Sequence, residues 1–136
     1  MTPDEISKLS NQQLNELIAV KRGWKHPISI SVSGKIDDPN KWWMNPDVKE
    51  GWSSDEWACT RVPNFCSDWQ YAGELFVELV DKSDSAQLCG EKFINDELAE
   101  YWVNIVTRDG DEISTKSNNY PTRAIAEAWY LMELNK

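Results

Sequence analysis

Tryptophan placement constrains the fold of this chain more than any other feature of its sequence. Eight tryptophans occur in 136 residues, and half of them fall within one stretch of sixteen residues. These four are Trp42, Trp43, Trp52 and Trp57. The stretch has neither helical nor strand periodicity, and each tryptophan covers roughly 150–250 Å² of surface when it packs. We therefore expect the stretch either to lie over the core as a lid or to form a contact surface.

Length and composition predict one globular domain, residues 1–136, with a Trp-rich insertion at about 37–63. Hydrophobic residues make up 40% of the chain and charged residues 27%, which are ordinary globular values. No apolar run reaches the length of about 18 residues that a membrane-spanning helix needs, so we expect no membrane association. The opening residues are acidic and polar, unlike a secretory signal, and we expect a cytoplasmic protein.

The charge balance argues against direct nucleic-acid binding. The chain carries 23 acidic and 14 basic residues, for a net charge of −9. Affinity for DNA or RNA comes largely from basic side chains that neutralise phosphates. The acidic surface leaves open a different role, as a nucleic-acid mimic that occupies a DNA-binding protein.

Two capping boxes predict the N-terminal helices. Thr2 followed by Glu5 predicts a short helical turn over about 3–8, and Ser10 followed by Gln13 predicts a helix over about 11–22. Gly23 is free to adopt the left-handed geometry of a helix end and should stop the second helix.

The middle of the chain predicts one strand, an irregular segment and one helix. Apolar residues alternate with serine over 27–36, which is typical of a half-buried strand, and a second strand is expected over 56–62. Ser67 or Asn64 should cap a helix over about 67–81. The apolar face of that helix consists of Trp69, Ala72, Leu75, Phe76, Leu79 and Val80.

The last third predicts a hairpin and a closing helix. Asp-Gly at 109–110 is a hairpin turn, and Thr122 should cap the last helix. The predicted elements are a weak strand over 87–93, strands over 100–107 and 112–117, and a helix over about 122–135. The order of elements predicts an α+β fold, with a small antiparallel sheet flanked by helices on both sides as an α-β-α sandwich.

Several motifs resemble the phage ABA-sandwich domain family. They comprise Asp4–Ile6, Leu14–Ala19 and Gly23-Trp24 near the N-terminus, then Phe65–Ala72 and Tyr120–Ala128. The resemblance implies an α-β-α sandwich encoded by a bacteriophage or prophage, in a family largely without an assigned biochemical activity. It supplies no catalytic residues. Residues 27–63 depart from it, being longer than the connection that is typical of the family.

Catalytic and metal-binding signatures are weak. His26 is the only histidine, and nothing in the sequence places a nucleophile beside it. The three cysteines, Cys59, Cys66 and Cys89, lack the close pair of a zinc site, so we expect neither a metal nor another cofactor. Asp55 and Glu56 lie beside tryptophans, which leaves open a small hydrolase with carboxylates next to an aromatic platform.

The sequence therefore favours binding over catalysis. We expect a non-enzymatic phage or prophage accessory protein that acts in the bacterial host, where it binds a host protein or a small host signal molecule. Countering a host defence is a role that fits this context. The predicted binding residues are Trp42, Trp43, Trp52, Trp57 and Arg61. The hydrolase and the acidic nucleic-acid mimic are the alternatives.

Overall fold

The computed structural model describes residues 1–24, 43–44, 59–60, 62–92 and 98–135. The chain divides into two compact units. One comprises Met1–Asn15 together with Asn64–Lys136, and the other comprises Glu16–Pro63. The second unit is thus inserted into the sequence of the first. The single domain with an insertion at about 37–63 stays a prediction.

Helix α1 (Pro3–Ser7) begins at the predicted capping residue. The Thr2 hydroxyl accepts the backbone N–H of Glu5 at 3.2 Å. It also donates to the Glu5 carboxylate at 3.2 Å. The pair fixes the first turn because it satisfies an N–H group that has no partner within the helix.

Helix α2 (Asn11–Lys21) has the complete second capping box. The Ser10 hydroxyl accepts the N–H of Gln13 at 3.1 Å. In return, the Gln13 side chain accepts the N–H of Ser10 at 2.9 Å. Gly23 lies just beyond the helix at a φ of 96°, so the predicted left-handed helix end is confirmed.

Two short strands are described within the second unit. Strand β1 (Trp43–Met44) pairs antiparallel with β2 (Cys59–Thr60), and Trp43 lies opposite Thr60. The predicted strand over 56–62 is therefore described at 59–60 only. The predicted strand over 27–36 lies outside the described residues.

Helix α3 (Trp69–Lys82) begins two residues after its predicted start at about 67. Asp68 caps it by accepting the N–H of Gln70 at 2.9 Å, so the prediction of Ser67 or Asn64 was wrong. The Asn64 carbonyl instead accepts the N–H groups of Ser67 at 3.3 Å and Asp68 at 2.9 Å, in a turn that precedes the helix.

The apolar face of α3 is narrower than its periodicity predicts. Ala72, Leu75 and Leu79 are buried as expected. Trp69 is 57% exposed and Val80 is 48% exposed, so these two do not belong to the core. The buried face of α3 therefore consists of residues at three- and four-residue spacing, and the other residues of the predicted face are partly or mostly exposed to solvent.

The sheet of the first unit is antiparallel, with strand order β3-β4-β5. Its strands are β3 (Ser85–Glu91), β4 (Glu100–Val106) and β5 (Glu112–Ser114). The Asp-Gly hairpin is confirmed: Gly110 has a φ of 89°, and the N–H of Thr107 bonds to the Asp111 carbonyl at 2.8 Å.

Helix α4 (Pro121–Leu134) packs against α1, α3 and all three strands of this sheet. Every residue from Thr122 to Met132 is buried, on all sides of the helix. Thr122 lies inside the helix, and Tyr120 is the N-cap residue without a side-chain capping bond, so the prediction of Thr122 as the cap was wrong.

The α+β class and the small antiparallel sheet are confirmed. Strand β4 alternates buried Val103 and Ile105 with half-exposed neighbours, as a strand does when one face is covered. Helix α4 contacts this strand, and α3 contacts β3. The arrangement of helices on both faces, as in an α-β-α sandwich, stays a prediction.

Candidate binding cleft

A polar cleft opens in the first unit beside the N-terminal end of α4. Its volume is about 560 Å³. It is lined by the end of α1, the start of α2, the segment between β5 and α4, and two side chains of α4. The lining residues are Ser7, Leu9, Ser10, Asn11, Lys116, Ser117, Asn118, Tyr120, Arg123 and Glu127.

Arg123 forms the floor of the cleft and connects it to α1. Its guanidinium donates from Nη2 to the carbonyls of Ile6 at 2.9 Å and Leu9 at 2.8 Å. Nη1 donates to Asn11 Oδ1 at 2.9 Å. These carbonyls lie at and just after the end of α1, where helix carbonyls lack partners within the helix and a cation is favourable.

Glu127 balances the charge of this buried arginine. Nε of Arg123 donates to Glu127 Oε1 at 3.2 Å, in an ion pair between residues four apart on α4. Burial raises the pKa of the Glu127 carboxyl, although the nearby Arg123 charge works in the opposite direction. Glu127 is 3% exposed, and its second oxygen accepts only a long bond of 3.5 Å from Asn118 Nδ2.

A buried turn before α3 lies next to Arg123, outside the lining of the cleft. The N–H of Cys66 bonds to Asn15 Oδ1 at 3.0 Å, and its carbonyl accepts the Thr122 hydroxyl at 2.6 Å. Both backbone groups are thus satisfied by side chains from helices that are distant in sequence. The three segments Asn11–Asn15, Phe65–Ser67 and Thr122–Glu127, which overlap the motifs quoted above, meet at this point.

The Cys66 thiol stays protonated at neutral pH. It donates to the carbonyl of Asn11 at 3.7 Å and lies 4.0 Å from Nη1 of Arg123. Burial raises the pKa of Cys66 to about 11, in spite of the neighbouring guanidinium. The thiolate is the nucleophilic form of cysteine, so this side chain is a structural group at neutral pH.

The rim of the cleft differs from its floor. Within the described part of the chain, the Lys116 ammonium and the hydroxyls of Ser117 and Tyr120 have no hydrogen bond or ion pair with another residue. Asn118 between them is fixed, because its backbone pairs with Tyr101 and its Oδ1 accepts the N–H of Tyr120 at 2.7 Å. The segment from 116 to 120 is thus held at Asn118, and it presents side chains to the cleft that have no hydrogen-bond partner among the described residues.

Of the five predicted binding residues, the described ranges contain Trp43 alone, so the predicted binding surface stays a prediction. Trp43 lies in β1 and is 5% exposed, so this ring belongs to the interior. Trp42, Trp52, Trp57 and Arg61 lie outside the described residues, as do Asp55 and Glu56 of the hydrolase alternative and His26.

Sequence reasoning missed Arg123 and Glu127, although a signal was present. The two charges stand four residues apart in a mostly small and apolar helix, whose one other charged residue is Glu133 near its end. An oppositely charged pair at this spacing on a helix that must be buried predicts an internal ion pair. The partners of Arg123 in α1 lie more than one hundred residues away in sequence, and no local pattern identifies them.

Within the described ranges, no group of three or more His, Cys, Asp or Glu side chains is arranged to hold a metal ion. No helix of the described residues has both the length and the apolar character needed to cross a membrane. Comparisons with protein families, with curated proteins and with solved structures found no match for this chain.

Proposed function

We propose that this chain is a non-enzymatic binding protein of a phage or prophage, which holds a small host molecule in the polar cleft of its first unit. The observation that carries the proposal is the contrast between the floor and the rim. The floor uses its donors within the protein, whereas the Lys116, Ser117 and Tyr120 side chains keep theirs available. Small-molecule sites combine a fixed frame with a few convergent polar groups in this way.

The charges of the cleft favour an anionic ligand. Its charged lining residues are Lys116, Arg123 and Glu127, and the last two neutralise each other. The remaining cation stands in a chain whose net charge is −9, so the cleft is a locally positive place on an acidic protein. Helix α4 begins beside it with no acidic residue in its first turn and no side-chain cap, which leaves its positive end unneutralised.

The hydroxyl and amide groups around Lys116 add hydrogen bonds, and the exposed ring of Tyr120 offers a flat face for stacking. These groups suit a small organic molecule that bears phosphate or carboxylate together with hydroxyls. The proposed action is occupancy, in which the protein retains a host signal molecule and so counters a host response. Location in the cytoplasm of the bacterial host belongs to the same proposal.

Phage or prophage origin rests on the sequence resemblance. A binding role is supported over catalysis by the side chains at the floor of the cleft and beside it. The Glu127 carboxylate is engaged by arginine, and the buried Cys66 thiol next to Arg123 has a raised pKa. Binding of a host protein through the stretch from Trp42 to Arg61 stays a separate prediction.

The test is to identify small molecules that the protein retains when it is purified from a bacterial host. Wild-type protein is denatured, and the released compounds are measured by mass spectrometry. We expect an anionic compound, recovered chemically unchanged, that is lost from the Lys116→Ala/Tyr120→Ala double variant. Lys92→Ala removes an exposed lysine outside the cleft and should retain the compound.

Equal retention by the double variant would contradict the proposal. A further variant with Trp42, Trp43, Trp52 and Trp57 changed to alanine distinguishes the two binding hypotheses. Loss of the compound only from that variant, with its fold verified by circular dichroism, would assign binding to the Trp-rich stretch instead. Recovery of a converted compound would favour the hydrolase alternative.

A further inference from the structure

Helix α3 presents an apolar stripe to solvent. Trp69 is 57% exposed, Val77 61% and Val80 48%, and Phe76 between them is half-buried. Together with Gly73 these residues occupy one side of the helix, next to the face that packs into the core. We call this set of five residues the apolar stripe.

The spacing within the stripe matches that of a helix-pairing seam. Trp69, Gly73, Phe76 and Val80 follow one another at intervals of four, three and four residues. Apolar residues repeated in this way form the seam of a pair of helices that pack side by side. The core of this protein uses a different set, Ala72, Leu75 and Leu79, so the stripe is a second apolar surface on one helix.

Gly73 lies in open space as far as the described residues are concerned. A Cβ atom built at this position meets none of their atoms within 4 Å, so no described neighbour requires glycine there. Glycine inside a helix destabilises it relative to alanine. On the stripe, however, the missing side chain leaves a notch beside Trp69 that can receive a side chain of another helix.

The polar edge of the stripe is acidic. Gln70, Glu74 and Asp81 follow the stripe around the helix and are exposed. A second copy of this chain would bring another acidic edge and a further net charge of −9, which opposes pairing. A helix with basic residues beside its apolar face complements both the stripe and its edge.

We infer that the apolar stripe of α3 is a docking surface for a basic amphipathic helix of a partner protein. This inference goes beyond ligand binding in the cleft and uses none of the cleft residues. Trp69 is the anchor, because exposed tryptophan contributes more than other residue types to protein interfaces. Gly73 admits a side chain of the partner, and Glu74 and Asp81 select for its basic residues.

The experiment measures binding of two labelled synthetic helices to the full chain by fluorescence anisotropy. One peptide is an amphipathic helix of leucine and lysine, and the other has glutamate in place of each lysine. We expect the lysine peptide alone to bind. Trp69→Ala with Val80→Ser should weaken that binding by at least about tenfold. The matched control is Val20→Ser, which changes a valine that is 54% exposed on α2.

Gly73→Gln separates docking from folding. The space at this position is open and glutamine favours a helix more than glycine does, so the variant should be at least as stable as the parent while its peptide binding falls. Glu74→Lys with Asp81→Lys should transfer the preference to the glutamate peptide. Glu91→Lys with Glu112→Lys makes the same change of net charge on the sheet and should leave the preference unaltered.

Three results would overturn the inference. One is equal binding of both peptides, and another is the same effect from both pairs of charge reversals, which would indicate general attraction by an acidic protein. The third is a dimer in sedimentation that Trp69→Ala dissociates, since a second copy would then be the occupant of the stripe.

Discussion

Helices α3 and α4 have the same length of fourteen residues, yet they depart from amphipathic patterning in opposite directions. Helix α4 buries the charged side chains of Arg123 and Glu127. Helix α3 leaves the large apolar side chains of Trp69 and Val77 in solvent.

The comparison of α3 with α4 shows that the polarity of a side chain does not by itself decide whether it is buried. The charges on α4 are tolerated inside because the arginine donors and one glutamate oxygen have partners within hydrogen-bonding distance. The apolar residues on α3 have no such compensation, and surfaces of this kind mark sites of interaction. Helix α4 therefore packs at the centre of the first unit, while α3 carries the proposed docking surface.

Replacing Arg123 gives the largest expected effect. Arg123→Met removes the cation and leaves Glu127 buried without its counter-charge, at a cost of about 3–5 kcal/mol in the free energy of unfolding. Urea denaturation measures the change. Arg108→Met is the control, because that arginine is exposed and makes a single hydrogen bond to the Asp81 carbonyl. Equal, small losses in both variants would contradict the structural role of the ion pair.

The two helices also carry a matched pair of tryptophans. Trp129 on α4 is buried and donates from Nε1 to Glu78 at 2.7 Å, whereas Trp69 on α3 is mostly exposed. Trp129→Ala should cost about 3–5 kcal/mol, because it leaves a cavity. Trp69→Ala should change the free energy of unfolding by no more than about 0.5 kcal/mol. A large loss of stability in Trp69→Ala would indicate that this ring belongs to the core, and it would contradict the contrast between the two tryptophans.

A smaller effect is expected from the Thr122 hydroxyl. Thr122→Val keeps the shape of the side chain but removes the donor to the Cys66 carbonyl, which is buried. An unsatisfied buried acceptor costs about 1–3 kcal/mol. Thermal denaturation measures the loss. Thr107→Val is the comparison, because the Thr107 hydroxyl accepts the N–H of Asp111 at 3.1 Å at an exposed site, where water can replace it, so the loss should be smaller. If Thr122→Val is as stable as the parent, the hydrogen bond from Thr122 to the Cys66 carbonyl contributes nothing to stability.

The pH dependence of stability tests the environment of Glu127. Burial raises the pKa of its carboxyl in the folded state above the ordinary value of 4.5. The folded protein therefore holds this proton more tightly than the unfolded chain does. The resulting stability is fully present below about pH 4.5 and is lost as the pH rises through the raised pKa.

Wild-type protein and Glu127→Gln should accordingly diverge with pH. We expect the stability of the parent relative to the variant to fall as the pH rises above 4.5, measured by urea denaturation across a pH series. Glu112→Gln, at an exposed position of β5, serves as the control. A relative stability that rises over the same interval would mean that the Arg123 charge outweighs burial.

Elements whose signals are local could be predicted from the sequence. The helix caps at Thr2 and Ser10 and the turn at Gly110 depend on partners within four residues, and the structure has all three, with the reciprocal bond of a capping box at Ser10. The side chains of Thr122 and Asn64 were misassigned as helix caps for the opposite reason. Their hydrogen bonds go to partners 56 and 49 residues away, which no local pattern reveals.

The cleft could be predicted only in part. The Arg123–Glu127 spacing indicates an ion pair, but the carbonyls of α1 that fix the guanidinium become visible only in the fold. For Trp43 the sequence left both a lid over the core and a contact surface open, and the structure adds that this ring is buried in β1. The sequence shows which residues are unusual, but the contacts of Arg123 and the burial of Trp43 are visible only in the folded structure.

The proposed anion-binding site depends on a fixed floor of the cleft and on unpaired polar groups among the described residues of its rim. The most direct measurement is a titration of the isotope-labelled full chain with inorganic phosphate, followed by the backbone amide resonances. The account predicts saturable shifts concentrated at Ser10, Asn11, Ser117 and Asn118, which Lys116→Ala removes and Lys92→Ala does not. Small shifts spread over the whole chain, or unchanged saturation in Lys116→Ala, would contradict it.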